Sequence, residues 1–588
     1  MRRLTTTIGL LSAAALTVAL VPSTLAATTA AWPDEEWVND TVGTASYDCG
    51  LDEGYASTSF GRFLRGQLLG QDLDIAAGLE GVNLTQDAAG AVGVEPDNAI
   101  SEGSTPPTHT YTNPLAAEVL DDFVGIDLTG LNTGLPLGSA GAVNQYAQVS
   151  GFGTAAGASG LVSDSGAVGI TPETPVDDLP EPATIALSNF IPAVAGVTDV
   201  QLEVGAVAAS SQLDWCAVLA NEIFGVGDPA FAVRDYGLAG VGLNVDSPLV
   251  AGLSGGVSSA LPTLQGSIDS LLGTNGLISN SIVTQLEILL APLVDSGVTG
   301  NVTLAGLDLA GSISTLLNQP ITDGVVTIDI TSPDGTISVD LDELLGYDAD
   351  SLNNLPPNTE LLINDAVINA LVTRIGTMLN TWVTSITDAL RAEIRSSILT
   401  IDLGVGVELL DVIDVLDVDI DAVLPLGAII DGTSGPSISV TAEAAGAVGT
   451  IDFLLGLAGL PTVSELITEV TTLLGPALVT PLRNTVVNTA YGALTTLGTT
   501  VSALTAPIVT ALSNLLFFLP DVVSIQANVQ PDQPGGSGVH TPADPVTRSS
   551  AQYLVTALQL ELLSLAPLPG GLSTMQFGTA SVGPITAP

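Results

Sequence analysis

The chain has 588 residues and sets 62 Asp and Glu against 10 Lys and Arg, a formal net charge of −52 at pH 7. Every basic residue is an arginine, so lysine-dependent chemistry is excluded, and no basic footprint for nucleic acid can be assembled. Charged residues make up only 12% of the chain, so the anomaly is missing positive charge and not unusually dense acid.

Residues 1–26 read as a secretory leader. Arg2 and Arg3 open it, Ile8 to Val21 is an uncharged apolar run, and small residues stand at Thr24 and Ala26. That pattern predicts a signal peptide cleaved after Ala26. Its removal leaves 62 acids against eight arginines, a net charge near −54. No later stretch is expected to span a membrane; the apolar run Leu504 to Leu519 is broken by Thr, Ser, Asn and Pro. No sorting motif or hydrophobic tail is visible near Pro588, so a secreted, extracellular or cell-surface protein without its own covalent anchor is expected.

Residues 27–55 form a polar entry segment. Residues 56–245 are Gly/Ala-rich, with period-two runs such as Ala142 to Val149 and Val200 to Val207 that predict half-buried strands. The two cysteines, Cys49 and Cys216, read as one disulfide in an oxidising exterior, with two buried free thiols as the alternative. Closing a loop of that size stabilises by about 5 kcal/mol in the chain-entropy model.

Residues 246–588 follow a different grammar, in which long helices alternate with short strands and hairpins. Three related units, 246–345, 346–455 and 456–588, are expected. Ser247-Pro248 predicts a capped helix start, with a break at Gly273 to Gly276 before the helix resumes toward Val294. Val325 to Ile330, the turn Ser332-Pro-Asp-Gly335 and Thr336 to Leu341 predict a hairpin. Ile368, Leu371, Ile375, Leu379, Trp382, Ile386, Leu390 and Ile394 recur at helical spacing, predicting an amphipathic helix from about Thr359 to Ser397, roughly 60 Å long. Thr462-Val-Ser-Glu465 predicts a capping box, opening a helical segment interrupted at Pro476, Pro481 and Pro507. The fold class is therefore α+β, with a β-rich N-terminal region followed by an elongated helix-and-strand region.

Chemistry is sparse. His109 and His540 lie in Thr- and Pro-rich segments expected to be surface loops. Ser254 sits in a Gly-x-Ser-x-Gly string (Gly252 to Gly256), but inside the expected helix and not at a strand-to-helix elbow. Carboxylate pairs for glycoside hydrolysis are available, while aromatic residues for sugar subsites are only 4% of the chain. The densest acidic run is Glu408 to Asp421. As a strand it places Asp417, Asp419 and Asp421 on one face, where a weak calcium site can form. As a helix it would instead align Glu408, Asp411, Asp414 and Asp417. A solvated face attracting cations diffusely is the plainer reading of the same residues, and no other cofactor is expected.

Several segments then resemble a known family. They are Ser59-Phe-Gly-Arg-Phe-Leu-Arg-Gly66, Leu135-Pro-Leu-Gly-Ser-Ala-Gly-Ala-Val-Asn-Gln-Tyr-Ala-Gln148 and Thr154-Ala-Ala-Gly-Ala-Ser-Gly160. Further on come Arg234-Asp-Tyr-Gly-Leu-Ala-Gly-Val-Gly-Leu-Asn244, Leu352-Asn-Asn-Leu-Pro-Pro-Asn-Thr-Glu-Leu-Leu362 and Phe577-Gly-Thr-Ala-Ser-Val-Gly-Pro584. In this order they are similar to the choice-of-anchor G surface proteins of high-GC Gram-positive bacteria. The resemblance implies an exported cell-surface protein and supplies no catalytic residues. The expected function is a structural or interaction role in the cell envelope, with other envelope proteins or itself as partner and no catalysis. An adhesin or glycan-binding module is the alternative, and a wall-polymer hydrolase stands third.

Overall fold

The computed structural model describes residues 53–68, 71–75, 80–115, 126–127, 143–170, 174, 179–180, 182–217, 232–290, 298–361, 363–409, 413–432, 438–536, 551–563 and 572–587. All of them belong to the compact unit Cys49–Pro588. The expected leader and most of the polar entry segment lie outside the described residues.

The class is α+β with antiparallel sheets, and the N-terminal region is β-rich. Four sheets of eight, seven, six and four strands are joined by one hydrophobic core running from Phe63 to Ala580. The first long strand, Ala56–Leu68, pairs antiparallel with the last, Leu572–Thr586, in register from Ala56 opposite Thr586 to Gln67 opposite Thr574. The first and last described strands thus meet in one long ladder, interrupted by a register shift between Ser57 and Ser59. The change in composition near residue 245 is not a break in pairing: strand Val241–Asp246 pairs with Thr336–Asp340, the second strand of the hairpin the sequence predicts. Hydrogen bonding crosses the boundary because alternating apolar residues on both sides (Leu243, Val245; Ile337, Val339) face the same core.

The eight- and six-stranded sheets stack through small residues. A Cβ on Gly61 would lie 2.2 Å from the Ala158 carbonyl oxygen, and one on Gly157 would lie 2.3 Å from that of Phe60. Backbones this close leave no room for any side chain, so both positions require glycine. Ser57, Ser59, Ser159 and Ser581 line the same sheets, and their buried hydroxyls have no hydrogen-bond partner among the described residues. Such groups cost stability unless satisfied. Close backbone packing holds this interface together with a few bonds between the sheets: the Phe63 amide donates to Gln145 Oε1 at 3.0 Å, and the Ser211 hydroxyl donates to the Tyr553 carbonyl at 3.1 Å.

Helices cover the other sheets. Helix Asp365–Ser396 is capped by Asn364, whose side chain accepts from the Ala366 and Val367 amides, and buries the predicted stripe from Ile368 to Ile394. It starts later than the sequence suggests because Thr359–Glu360 pairs as a short strand with Val523–Val529. Helices Pro248–Asp269 and Leu277–Leu290 flank the predicted break. Ser247 does not cap by its side chain; its hydroxyl donates to the Gly196 carbonyl at 2.6 Å, tying the helix start to the β-rich region.

The Thr462–Glu465 capping box forms as expected. The prolines behind it do not break the run. Pro481 and Pro507 sit inside helices Gly475–Val486 and Gly492–Leu516, and the irregularities are π turns at Val470–Leu474 and Val487–Tyr491. A wider turn absorbs a locally lost hydrogen bond without ending the helix. The stretch Ala477–Val522 is long and apolar enough to cross a membrane by length and composition. In this fold its inner side (Leu482, Val486, Leu494, Val501, Ile508, Leu512) belongs to the common core.

Candidate functional site

Two of the motif segments, 234–244 and 352–362, meet in a polar clamp. Tyr236, on strand Val233–Leu238, donates its hydroxyl to the Leu352 carbonyl at 2.7 Å and accepts from the Leu355 amide at 2.8 Å. Burial pushes this phenol up to about 12. Asn353 accepts from the Leu238 amide and donates back to the Leu238 carbonyl, acting as an extra strand partner. Asn358, with φ of 60°, accepts from the Gln530 amide at 2.8 Å and donates to the Gln530 carbonyl at 2.9 Å. Asn528, with φ of 53°, donates to the Leu355 carbonyl. Asparagine is among the few non-glycine residues that adopt this left-handed backbone readily, and here its amide also fills the local hydrogen-bond demand. The loop Leu352 to Leu361 is thereby pinned between two sheets.

Arg234, two residues before Tyr236, forks onto Asp532, with Nη2 3.1 Å from Oδ2, donates to the Leu554 carbonyl and lies 5.7 Å from the Tyr553 ring centroid. These side chains build architecture.

The acidic run is a strand over Ile413–Pro425. Asp417, Asp419 and Asp421 share its exposed face, while Val418, Ile420 and Ala422 are buried. The helical alignment of Glu408, Asp411, Asp414 and Asp417 does not form where described, because Ile398–Leu409 and Ile413–Pro425 pair as a hairpin; Asp411 itself lies outside the described residues. Side chains two apart on a strand stand about 6.6 Å apart, and an ion held at about 2.4 Å from each oxygen does not bridge three in a row. Neighbouring strands add Asp402 opposite Asp421 and Glu443 opposite Asp417. The result is a broad acidic face, with like charges opposed across strands. Among the described residues, no group of three or more His, Cys, Asp and Glu side chains is placed to hold a metal ion.

His109 is part of strand Thr108–Thr112, opposite Val149, and not in a loop. The alternating Thr-His-Thr-Tyr-Thr run forms an extended ladder despite the prolines before it. His540 lies outside the described residues. Ser254 sits within helix Pro248–Asp269, as its context suggested. Cys216 follows strand Val207–Asp214 and is not a free thiol; beside it the Trp215 ring meets that of Tyr55 at a 57° tilt, with centroids 5.2 Å apart. Cys49 lies outside the described residues.

One cleft escaped the sequence reading. It has a volume of about 450 Å³ and is lined by Glu203, Gly240, Gly242, Ser338, Asp340 and Asp342, among others. Asp340 caps the short helix Leu341–Leu345 by accepting from the Glu343 amide, and Asp342 accepts from the Val241 amide at 2.8 Å. Burial, reinforced by neighbouring Asp340, pushes the Asp342 carboxyl up to about 7. Burial also raises Glu203, against the opposing hydrogen bond from Asn244. The cleft thus gathers three carboxyl groups, two of them raised by burial. Its signal in the sequence was the Asp340-Leu-Asp342 pair at a helix start, together with Gly240 and Gly242, at the neighbouring strand of the same sheet.

No curated protein and no solved structure matches the chain. A family model matches it from residue 59 to residue 583, a span that contains the clamp, the sheet stack and the cleft alike. The protein belongs to that family, described as a domain of unknown function (DUF8394).

Proposed function

We propose that this is an exported cell-envelope protein with a structural or interaction role and no catalytic activity. The leader-like residues 1–26 and the resemblance to choice-of-anchor G proteins support export. The observation that carries the structural role is the use made of the motif residues. Gly61 and Gly157 permit sheet stacking, while Arg234, Tyr236, Asn353 and Asn358 hold the clamp. A disulfide between Cys49 and Cys216 fits the same exterior setting. An elongated helical region is part of the proposal, supported by the 32-residue helix Asp365–Ser396, about 48 Å long at 1.5 Å per residue.

Fractionation of the producing cells tests the reading. The protein is expected in the medium or in the envelope fraction released by salt or chelator. Recovery in the cytoplasm at full length contradicts it.

The second reading, a glycan-binding surface module, draws on the exposed rings of Phe453 (70%) and Phe517 (68%), which offer flat apolar faces to a sugar. Glycan-array binding that disappears in Phe453→Ala would favour it.

A further inference from the structure

The four-stranded sheet has two unlike edges. At one, strand Val298–Ala305 is closed by the chain itself: the Gly273 amide donates to the Val302 carbonyl at 2.8 Å, and the Thr274 hydroxyl donates to the Gly300 carbonyl at 2.7 Å. At the other, strand Ser439–Ala444 pairs only with Ile413–Pro425 among the described residues.

The direction of its free groups follows from the register. Leu416 lies opposite Ala444, and the Ala445 amide donates to the Val415 carbonyl. Hydrogen-bonded pairs alternate along an antiparallel ladder, so Ser439, Thr441 and Glu443 turn their backbone groups inward. Val440, Ala442 and Ala444 turn theirs outward. This strand has no proline and no bulge, two of the devices that prevent strand addition, and its one charged residue is Glu443. Its core-facing side chains are small and half-buried, and they pack against the common core.

We infer that this edge pairs with the same strand of a second copy, around a two-fold axis at Ala442. Val440 then meets Ala444 of the second copy, Ala442 meets its own equivalent, and about six backbone hydrogen bonds form. The same register sets Thr441 opposite the second Glu443, a hydroxyl against a carboxylate. No acid faces an acid directly across the new seam, whereas within one copy Asp402 faces Asp421 and Asp417 faces Glu443. This complementarity under two-fold symmetry favours a second copy over an unrelated strand. The inference deepens the proposed interaction role by naming its surface and its partner.

Light scattering after size exclusion on the full exported chain tests it, with and without added salt. Twice the monomer mass is expected for the unaltered protein. Ala442→Pro removes an outward amide while leaving the inner ladder bonds in place, and is expected to give the monomer mass. Thr441→Arg and Thr441→Asp change an exposed side chain that the fold does not need. The first is expected to tighten the dimer, and the second to weaken it, by about three- to tenfold each. A monomer at every concentration and salt level, or a dimer indifferent to all three substitutions, overturns the inference. Neither result bears on export, which fractionation tests separately.

Discussion

Arg234 and Asp532 stand 298 positions apart and meet in a two-point ion pair, their side chains only 8% and 13% exposed. The pairs Arg391 with Asp388 and Arg395 with Asp431 are, by contrast, far more exposed. Removing one partner of a buried pair strands the other charge. Arg234→Met or Asp532→Leu alone is expected to cost about 3–5 kcal/mol, and the double replacement distinctly less than the sum. Denaturant unfolding of the three variants provides the cycle.

Tyr236 satisfies two backbone groups with one hydroxyl. Tyr236→Phe leaves the Leu352 carbonyl and the Leu355 amide buried without it. The expected loss is about 2–3 kcal/mol with the native far-ultraviolet circular dichroism retained. A loss under about 0.5 kcal/mol would mean that water replaces the hydroxyl and that the clamp is looser than drawn.

Two glycine substitutions should move stability in opposite directions. Gly157→Ala forces a methyl against the Phe60 carbonyl and is expected to cost about 3 kcal/mol or more. Gly252→Ala adds a methyl to an exposed helical position with nothing within 4 Å, and should stabilise by about 0.5–1 kcal/mol. Thermal melts of both variants check the contrast.

These contrasts also show what the amino-acid sequence made legible. The hairpin at 326–340, the Thr462 capping box and the buried stripe of helix Asp365–Ser396 follow from residues within a few positions of each other, so their patterns read directly. The pairing of Ala56–Leu68 with Leu572–Thr586 did not, because its register depends on the core that both strands enclose. The acidic cleft was hidden for the same reason: Glu203 joins Asp340 and Asp342 only after separate strands align in one sheet. The motif residues were visible as motifs, but their task as pins appeared only when Asn358 was seen beside Gln530 and Tyr236 beside Leu355.

The cleft carries a pH signature. The folded protein holds the Asp342 carboxyl up at about 7, against an ordinary value of 3.8. The unfolded chain releases this proton first, so the group's contribution is complete below about pH 4 and is lost as pH rises to about 7. Asp340, Glu203 and Glu343 are the acids around it, and none offsets its charge. Asp342→Asn keeps an acceptor for the Val241 amide and removes the titration. Its melting temperature should match that of the unaltered protein near pH 4, rise above it progressively to about pH 7 and hold that lead at higher pH. Asp329 acts in the opposite sense: the Thr331 hydroxyl and nearby amides hold it low, so its contribution is lost on acidification below about pH 4, outside this window.

Export to the envelope is the central functional claim, and the mature N-terminus tests it most directly. Mass spectrometry of the protein recovered from fractionated producing cells should find a chain beginning at Ala27, in the medium or the extractable envelope. A chain that keeps residues 1–26 and stays in the cytoplasm would contradict the account.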